Sequence, residues 1–88
     1  MTPGAILLHP DDTVICLLRD HPAGAVPVLA GLVAPALHCD IALGHKMALI
    51  AHASGAPVVK YGAVIGHATC DIAPGDHVHL HNLAGVLA

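Results

Sequence analysis

Six short apolar runs, separated by proline and glycine, constrain this chain more than any other feature of its sequence. The runs are AILL (5–8), TVICLL (13–18), KMALIA (46–51), PVVKYG (57–62), AVIGHAT (63–69) and HVHLHNL (77–83). Short apolar runs bounded by turn residues are typical of β-strands, and no stretch keeps a helical period for three turns. We therefore predict a mostly β fold with at most one or two short helical turns. Because TVICLL is apolar on both faces, we expect its strand to be buried on both sides.

A second local pattern, Asp-x-x-x-Gly, occurs at 20–24, 40–44 and 71–75, and HASG at 52–55 resembles it. The aspartate can accept a hydrogen bond from an amide two or three residues further on, and the glycine can adopt the left-handed conformation. We expect each unit to turn the chain and to begin a strand, as HKMAL and DHVHLHN do after their glycines. The copies are few and unevenly spaced, which argues against a solenoid.

The composition indicates one small domain with an apolar exterior. Of the 88 residues, 56% are hydrophobic and only 10% are charged, against about 25% charged in an ordinary soluble domain. Because so few charges cannot cover the surface, we expect an apolar surface that a partner covers. The net charge is −3 and the only basic residues are Arg19, Lys46 and Lys60. Such a chain has no basic stripe for nucleic-acid phosphates.

The uncharged stretch 21–39 has nearly the length of a membrane-spanning helix. Prolines and glycines interrupt it, so we interpret it as an irregular apolar connection. No basic amino-terminal region precedes an apolar run, and no signal peptide is predicted. Three cysteines, Cys16, Cys39 and Cys70, form no CxxC pair. We expect them to be reduced core residues of a cytoplasmic protein.

The segment GDHVHLHNL places His77, His79 and His81 at alternate positions. On a strand these side chains share one face, while Val78 and Leu80 point into the core. Two neutral imidazoles at that spacing can bind one divalent cation such as Fe, Zn, Cu or Ni. A hydrated face that binds nothing is an equally good interpretation of the spacing alone.

Other candidates for chemistry are a lysine, its neighbouring histidine, a tyrosine and an asparagine. His45 and Lys46 stand at the entrance of a strand, where the lysine can hold a carboxylate or, if desolvated, act as a base. An exposed charge is the alternative for Lys46. Tyr61 is expected either in the core or in contact with a ligand, and Asn82 is expected first to fix the backbone. The remaining histidines are expected at the surface: His9, His21, His38, His52 and His67.

Together, DDTVICLLRDHPAG, DIALGHKMAL and PVVKYGAVIGHATCDIAPGDHVHLHNL resemble the SAF-type domain of the altronate/galactarate dehydratase family. The resemblance extends from about Ala5 to Leu83, and Gly-His-Lys, Lys-Tyr-Gly, Ile-Gly and Gly-acid-His-Val-His-x-His-Asn follow in order. It implies a single β-clip domain over residues 1–88. HASGAP departs from the pattern, because it has His52 and Ala56 where relatives often have acidic residues.

The resemblance also implies a lyase that eliminates water, or sulfite, from a hydroxy acid, with Fe(II) or another divalent cation. In many relatives this domain begins a longer chain, and in sulfolactate sulfo-lyase it is a small subunit. Because the chain has few aspartates and no glutamate, we expect it to form one wall of a site shared with a large dehydratase-like polypeptide. The other expected partners are a sugar-acid or 2-hydroxy-acid substrate and, in an oligomer, further copies of the chain. Neither nucleic acid nor membrane is expected.

Within that shared site, three groups of residues have expected roles. The expected metal ligands are His77, His79 and His81. The residues expected to contact substrate oxygens or transfer protons are His45 and Lys46. The expected substrate-binding residues are Lys60, Tyr61 and Asn82. Two other functions stay open: a free-standing β-clip module that binds a small ligand or metal, and a domain that only stabilises or oligomerises its partner.

Overall fold

The computed structural model describes residues 2–85, and every regular element in that part of the chain is a β-strand. The strands are β1 (Ala5–Ile6), β2 (Val14–Leu17), β3 (Val28–Leu29), β4 (Leu32–Val33), β5 (Lys46–Ala48), β6 (Pro57–Lys60), β7 (Ala63–Ala68), β8 (His77–Val78) and β9 (Leu83–Ala84). They form three antiparallel sheets with the orders β1-β2-β5-β8, β3-β4 and β6-β7-β9. The prediction of a mostly β fold is confirmed.

Two apolar clusters pack against opposite faces of the sheet that contains β2 and β5. Ile15 and Met47 belong to one cluster, and Val14 and Ala48 belong to the other. Since successive residues of a strand point to opposite faces, this sheet separates the two clusters. The expected burial of β2 on both faces is confirmed, because Val14, Ile15 and Leu17 are each at most 1% exposed.

The chain contains an internal repeat with an offset of 31 residues. The sequence Cys-Asp-Ile-Ala occurs at 39–42 and again at 70–73, and the offset takes Gly24 to Gly55 and Gly44 to Gly75. These four glycines all have positive φ angles, between 84° and 93°. Their amides donate equivalent backbone hydrogen bonds of 2.7–2.9 Å, to Leu37, Ala68, Leu17 and Ala48 respectively. The turns that look unevenly spaced in the sequence are therefore two equivalent pairs.

The aspartates of these turns accept hydrogen bonds from the partner turn. Asp20 Oδ1 accepts the Leu43 amide at 2.7 Å, and Asp40 Oδ1 accepts the Ala23 amide at 2.8 Å. The expectation that each aspartate binds an amide of its own turn is wrong for this pair. The reason is that an antiparallel bridge between residues 21 and 41 joins the two turns side by side.

The second pair of turns keeps only one of these two bonds. Asp71 Oδ1 accepts the Ser54 amide at 2.9 Å, and a bridge between residues 52 and 72 joins the turns. The reciprocal position has Ala51 instead of aspartate, opposite Pro74. Because proline has no amide hydrogen, an aspartate at 51 would find no donor there.

Other expectations about the first half and the cysteines need correction. Residues 21–39 are not an irregular connection, because β3 and β4 form a hairpin within them. None of the residues 2–85 belongs to a helix long and apolar enough to cross a membrane. The cysteines are free, but Cys39 and Cys70 are exposed and Cys16 is only partly buried, so they are not core residues. The expected apolar exterior is present, with Val33 92% exposed.

Candidate active site

The histidine-rich segment is not one continuous strand. β8 ends at Val78, and the Asn82 amide donates to the His79 carbonyl at 3.1 Å, which turns the chain. The Asn82 side chain stabilises this turn, since its Oδ1 accepts the His79 amide at 3.0 Å and its Nδ2 donates to the His77 carbonyl at 2.8 Å. Asn82 is 5% exposed. It fixes the backbone as expected, because both the oxygen and the nitrogen of its side-chain amide form hydrogen bonds with the backbone.

The turn changes where the alternating side chains point. Val78 is fully buried, as expected, but Leu80 is 71% exposed. The prediction that Leu80 lies in the core is wrong, because the two-residue alternation of a strand stops at residue 78. The imidazoles are therefore brought together by a turn and a neighbouring strand, and not by one strand face.

Three imidazoles from two parts of the chain form a compact cluster. One ligand nitrogen from each of His45, His77 and His79 lies within 4.8 Å of the other two. His45 Nδ1 is 2.8 Å from His77 Nε2. The rings of His77 and His79 are nearly parallel, with centroids 5.5 Å apart, and His45 is tilted against both. The pairing of β5 with β8 brings His45 to the other two residues.

His81 lies at the margin of this cluster. Its ring centroid is 5.4 Å from that of His77, but His81 does not belong to the group of three whose ligand atoms converge. The sequence predicted His77, His79 and His81 as the metal ligands and His45 as a catalytic residue. In the structure the third imidazole of the convergent group is that of His45, because the strand ends before residue 81. The metal-binding role of each histidine stays a prediction.

The chemistry of the three imidazoles fits a divalent transition-metal ion. Burial is the main cause that lowers the pKa of His77 and of His79, and the positive charge of neighbouring groups, including His45, lowers both further. A lowered pKa favours the neutral imidazole, which is the form that binds metal. Imidazole nitrogens suit Zn, Cu, Fe and Ni. These residues therefore have the ligand chemistry that suits the divalent cation expected from the family resemblance.

Lys46 adds an amine at the end of a largely buried side chain beside the imidazoles. It lies in β5 directly opposite Cys16 of β2, and its side chain is buried. Burial lowers the Lys46 pKa most, the positive charge of Lys60 lowers it further, and Cys16 opposes the shift. Within residues 2–85, no carboxylate lies at salt-bridge distance from Lys46. Such an amine favours an incoming anion, and it releases its proton more readily than an exposed lysine.

Lys60 and Tyr61 stand at the turn between β6 and β7. Tyr61 is 74% exposed, so the core position expected as one alternative is wrong. Asp12, which sequence reasoning did not select, binds this turn: its Oδ2 accepts the Tyr61 amide at 2.9 Å and its Oδ1 accepts the Gly62 amide at 2.8 Å. An aspartate 49 residues before the turn carries no local signal of this contact.

His52 is another residue for which the sequence prediction was wrong. It is 3% exposed, although a surface position was expected, and burial lowers its pKa. Its Nε2 lies 2.7 Å from Thr13 Oγ1, which also accepts the Val59 amide at 3.0 Å. His52 therefore links its turn to two other segments. The other four isolated histidines are partly or fully exposed.

The fold and the site define an all-β domain that presents clustered imidazoles beside a lysine amine with no carboxylate partner in the described residues. The chain belongs to the altronate/galactarate dehydratase SAF domain family, whose model matches residues 3–85. The resemblance seen in the sequence is confirmed.

Similar proteins include two altronate dehydratases. The chain is 46% identical over 77 residues to altronate dehydratase of Escherichia coli (strain K12) and 42% identical over 77 residues to that of Bacillus subtilis (strain 168). Each alignment covers 88% of this chain and 15% of the relative. The chain therefore spans about 15% of the length of these relatives.

A smaller protein is also similar. The (2R)-sulfolactate sulfo-lyase subunit alpha of Paracoccus pantotrophus is 49% identical over 43 residues, which is 49% of this chain and 64% of that subunit. This family segment therefore occurs both as a small part of a long dehydratase and as most of an enzyme subunit.

Proposed function

We propose that this domain supplies one wall of the active site of a lyase that eliminates water, or sulfite, from a hydroxy acid. The cluster of His45, His77 and His79 beside unpaired Lys46 carries the proposal. The names of the similar proteins, altronate dehydratase and sulfolactate sulfo-lyase subunit alpha, support this class of reaction. Such an elimination requires a base for one proton, an acid for the leaving group and a counter-charge for the carboxylate.

The residues of this chain suit those tasks. Lys46 and Lys60 lie close enough for the charge of one to affect the pKa of the other, and together they attract the substrate carboxylate. His45 and Lys46 contact substrate oxygens or transfer protons. The lowered pKa of Lys46 suits it to proton transfer better than an exposed lysine, because it gives up its proton more readily.

His45, His77 and His79 would hold a divalent cation, which is Fe(II) in the proposed enzyme. Such a cation, when bound, polarises the hydroxyl and carboxylate oxygens of a hydroxy acid. His81 borders the cluster, with its ring centroid 5.4 Å from that of His77. Asn82 holds the turn that places His77 and His79.

The site needs groups from another polypeptide. The sequence has no glutamate, and five of its aspartates accept backbone amides within the fold. The carboxylate ligands that hydroxy-acid chemistry usually employs around a cation are therefore absent from the described cluster. We propose that a large dehydratase-like polypeptide supplies them. The three free cysteines suit a cytoplasmic enzyme, because thiols stay reduced there.

The experiment is to purify the chain with and without the large dehydratase-like chain of the same genome. Dehydration of altronate and galactarate and release of sulfite from sulfolactate are then measured. We expect turnover only when both polypeptides are present. His79→Ala and Lys46→Met should each lower kcat by about 100-fold or more, whereas His67→Ala, at an exposed position of β7, should not. Full activity of the large chain alone would overturn the proposal.

A free-standing metal-binding module is the second candidate, because this chain assembles all three imidazoles by itself. Calorimetric titration of the isolated chain with Fe(II) and Zn(II), repeated with His79→Ala and His81→Ala, tests it. Tight one-to-one binding by a chain that forms no complex with the large polypeptide favours the module. Binding that strengthens when the large polypeptide is added favours the shared site.

A further inference from the structure

The turn between β6 and β7 holds Tyr61 in an unfavourable backbone conformation. Tyr61 has a φ of 56° and is the one residue other than glycine with positive φ within residues 2–85. Gly62 follows with a φ of 74°, and Lys60 pairs with Ala63 across the two-residue loop. Loops with two positive φ angles favour Asn-Gly, because bulky side chains are strained there.

Buried contacts hold this turn in place. Asp12, 6% exposed, accepts the amides of both Tyr61 and Gly62. Gly62 also packs closely on His9, since a Cβ at Gly62 would lie 3.0 Å from the His9 ring. The conformation of Tyr61 is therefore imposed by several independent contacts, which is how strained residues persist in folded proteins.

The Tyr61 ring is largely exposed and makes few packing contacts within this chain. Tyr61 is 74% exposed at the end of a hairpin, and it is the only aromatic residue among all 88. Small-molecule sites are concave and enclose most of their ligand, whereas this ring projects outwards. Exposed tyrosines on rigid supports are typical anchors of protein interfaces, where they fill a pocket of the partner.

We infer that Tyr61 is a docking anchor for the large polypeptide that completes the lyase, with Asp12 as its positioning residue. The inference rests on the proposed function and replaces the substrate-binding role expected for Tyr61 from the sequence. A large polypeptide is the partner that fits this ring, because the similar region forms only 15% of each altronate dehydratase. Most of such an enzyme is other polypeptide, which a wall of the active site must face.

The single tyrosine allows a direct test. Incorporation of 3-fluorotyrosine places one fluorine label in the chain, at Tyr61, so its ¹⁹F NMR spectrum reports this ring alone. The large dehydratase-like chain is added in one experiment, and galactarate, altronate or sulfolactate in another. We expect the resonance to shift or broaden with the large chain and to stay unchanged with each acid.

Variants separate the ring from the backbone strain. Tyr61→Asn removes the ring and suits positive φ, so its melting temperature should stay equal or rise by a few degrees while complex formation weakens by about 30-fold. Val64→Asn, at a half-exposed position of the same hairpin, is the matched control and should change complex affinity by less than about 2-fold. Asp12→Asn weakens the support of the strained turn, so it should lower both the folding stability and the affinity for the large chain. In the double variant Asp12→Asn with Tyr61→Gly, folding stability should recover, because glycine adopts positive φ without strain, but affinity should not.

Each outcome bears on the inference. A ¹⁹F response to the large chain, together with a stable but weakly binding Tyr61→Asn variant, supports it. A response to galactarate alone, or a complex that forms with no ¹⁹F response, overturns it and leaves the proposed function standing. Absence of any complex while the large chain is fully active by itself overturns both.

Discussion

His45 Nδ1 lies 2.8 Å from His77 Nε2, although 32 positions separate the two residues in the sequence. Each residue closely follows one of the two equivalent glycines, Gly44 and Gly75, and the antiparallel pairing of β5 and β8 brings the two turns together. The imidazole cluster therefore depends on both turns and on the strand pairing between them. Changes at any of these places should alter metal binding.

The first prediction concerns metal affinity of the isolated chain. His45→Ala or His77→Ala should weaken Zn(II) or Ni(II) binding by at least about 10-fold, because each removes one of three convergent donors. Isothermal titration calorimetry measures the change, and His67→Ala is the matched control. Since the pKa values of His77 and His79 are lowered, the neutral imidazoles persist at lower pH. The pH at which half of the metal is released on acidification should therefore be lower than at a site made of histidines with the ordinary pKa of about 6.5. Equal affinity of His77→Ala and the unchanged chain would contradict the assignment.

The second prediction compares two equivalent glycines. Gly44→Ala meets only the strain of positive φ, because a Cβ there has no heavy atom within 4 Å, and should cost about 1 kcal/mol. Gly75→Ala places a Cβ against the Ala36 carbonyl oxygen, so backbone must also move and the cost should reach about 2–4 kcal/mol. Urea unfolding of the two variants gives both values. Equal costs would show that the close approach of Ala36 to Gly75 is not maintained.

Local patterns predicted the elements of this fold but not the contacts between them. The apolar runs indicated β2, β5, β6 and β7, and the glycines indicated the turns, because both signals lie within a few residues. The reciprocal bonds of Asp20 and Asp40 could not be predicted in the same way, since each joins residues about 20 positions apart. The 31-residue offset was available in the repeated Cys-Asp-Ile-Ala, and it would have revealed the pairing of the turns.

In the candidate site, too, the residues could be predicted from local sequence, but their contacts with distant residues could not. The sequence selected His45, Lys46, His77 and His79, because clustered histidines and a lysine are visible along the chain. It assumed a strand as far as His81, whereas the Asn82 side chain ends the alternation two residues after β8 begins. The role of Asp12 lay beyond sequence reasoning, because the amides that it binds belong to a distant hairpin.

The third prediction tests the relation between the two pairs of turns. Asp40→Ala removes the acceptor of the Ala23 amide and should cost about 1 kcal/mol of unfolding free energy. Ala51→Asp alone should give no gain, because Pro74 opposite has no amide hydrogen. Ala51→Asp combined with Pro74→Leu recreates the pair formed by Asp20 and Leu43, and should be more stable than the sum of the single changes by about 1 kcal/mol. Additive effects in this double-mutant cycle would exclude equivalent turns.

The fourth prediction concerns the dependence of stability on pH. Burial lowers the pKa of His52 in the folded chain, so between that value and the unfolded value of about 6.5 the unfolded chain binds more protons. The stability from neutral His52 is present above about pH 6.5 and is lost as the pH falls towards the folded pKa, with a slope of at most about 1.4 kcal/mol per pH unit. His77 and His79 add to the slope with the same sign, because their pKa values are also lowered.

His52→Gln isolates the contribution of this residue. The glutamine amide can still bind Thr13 but does not titrate. The variant should therefore lose less stability than the unchanged chain between pH 6.5 and 5. At pH 7.5, where the unchanged chain keeps the stability from neutral His52, the variant should be less stable. Urea unfolding at several pH values measures both effects, and His67→Ala, at an exposed position, serves as the control with an unchanged slope. If His52→Gln and the unchanged chain lose stability equally on acidification, the buried imidazole is not the group that titrates. The slope would then come from the imidazole cluster, and metal at saturating concentration should steepen it and extend it to lower pH, because bound metal keeps protons off the folded nitrogens while the unfolded histidines still bind them.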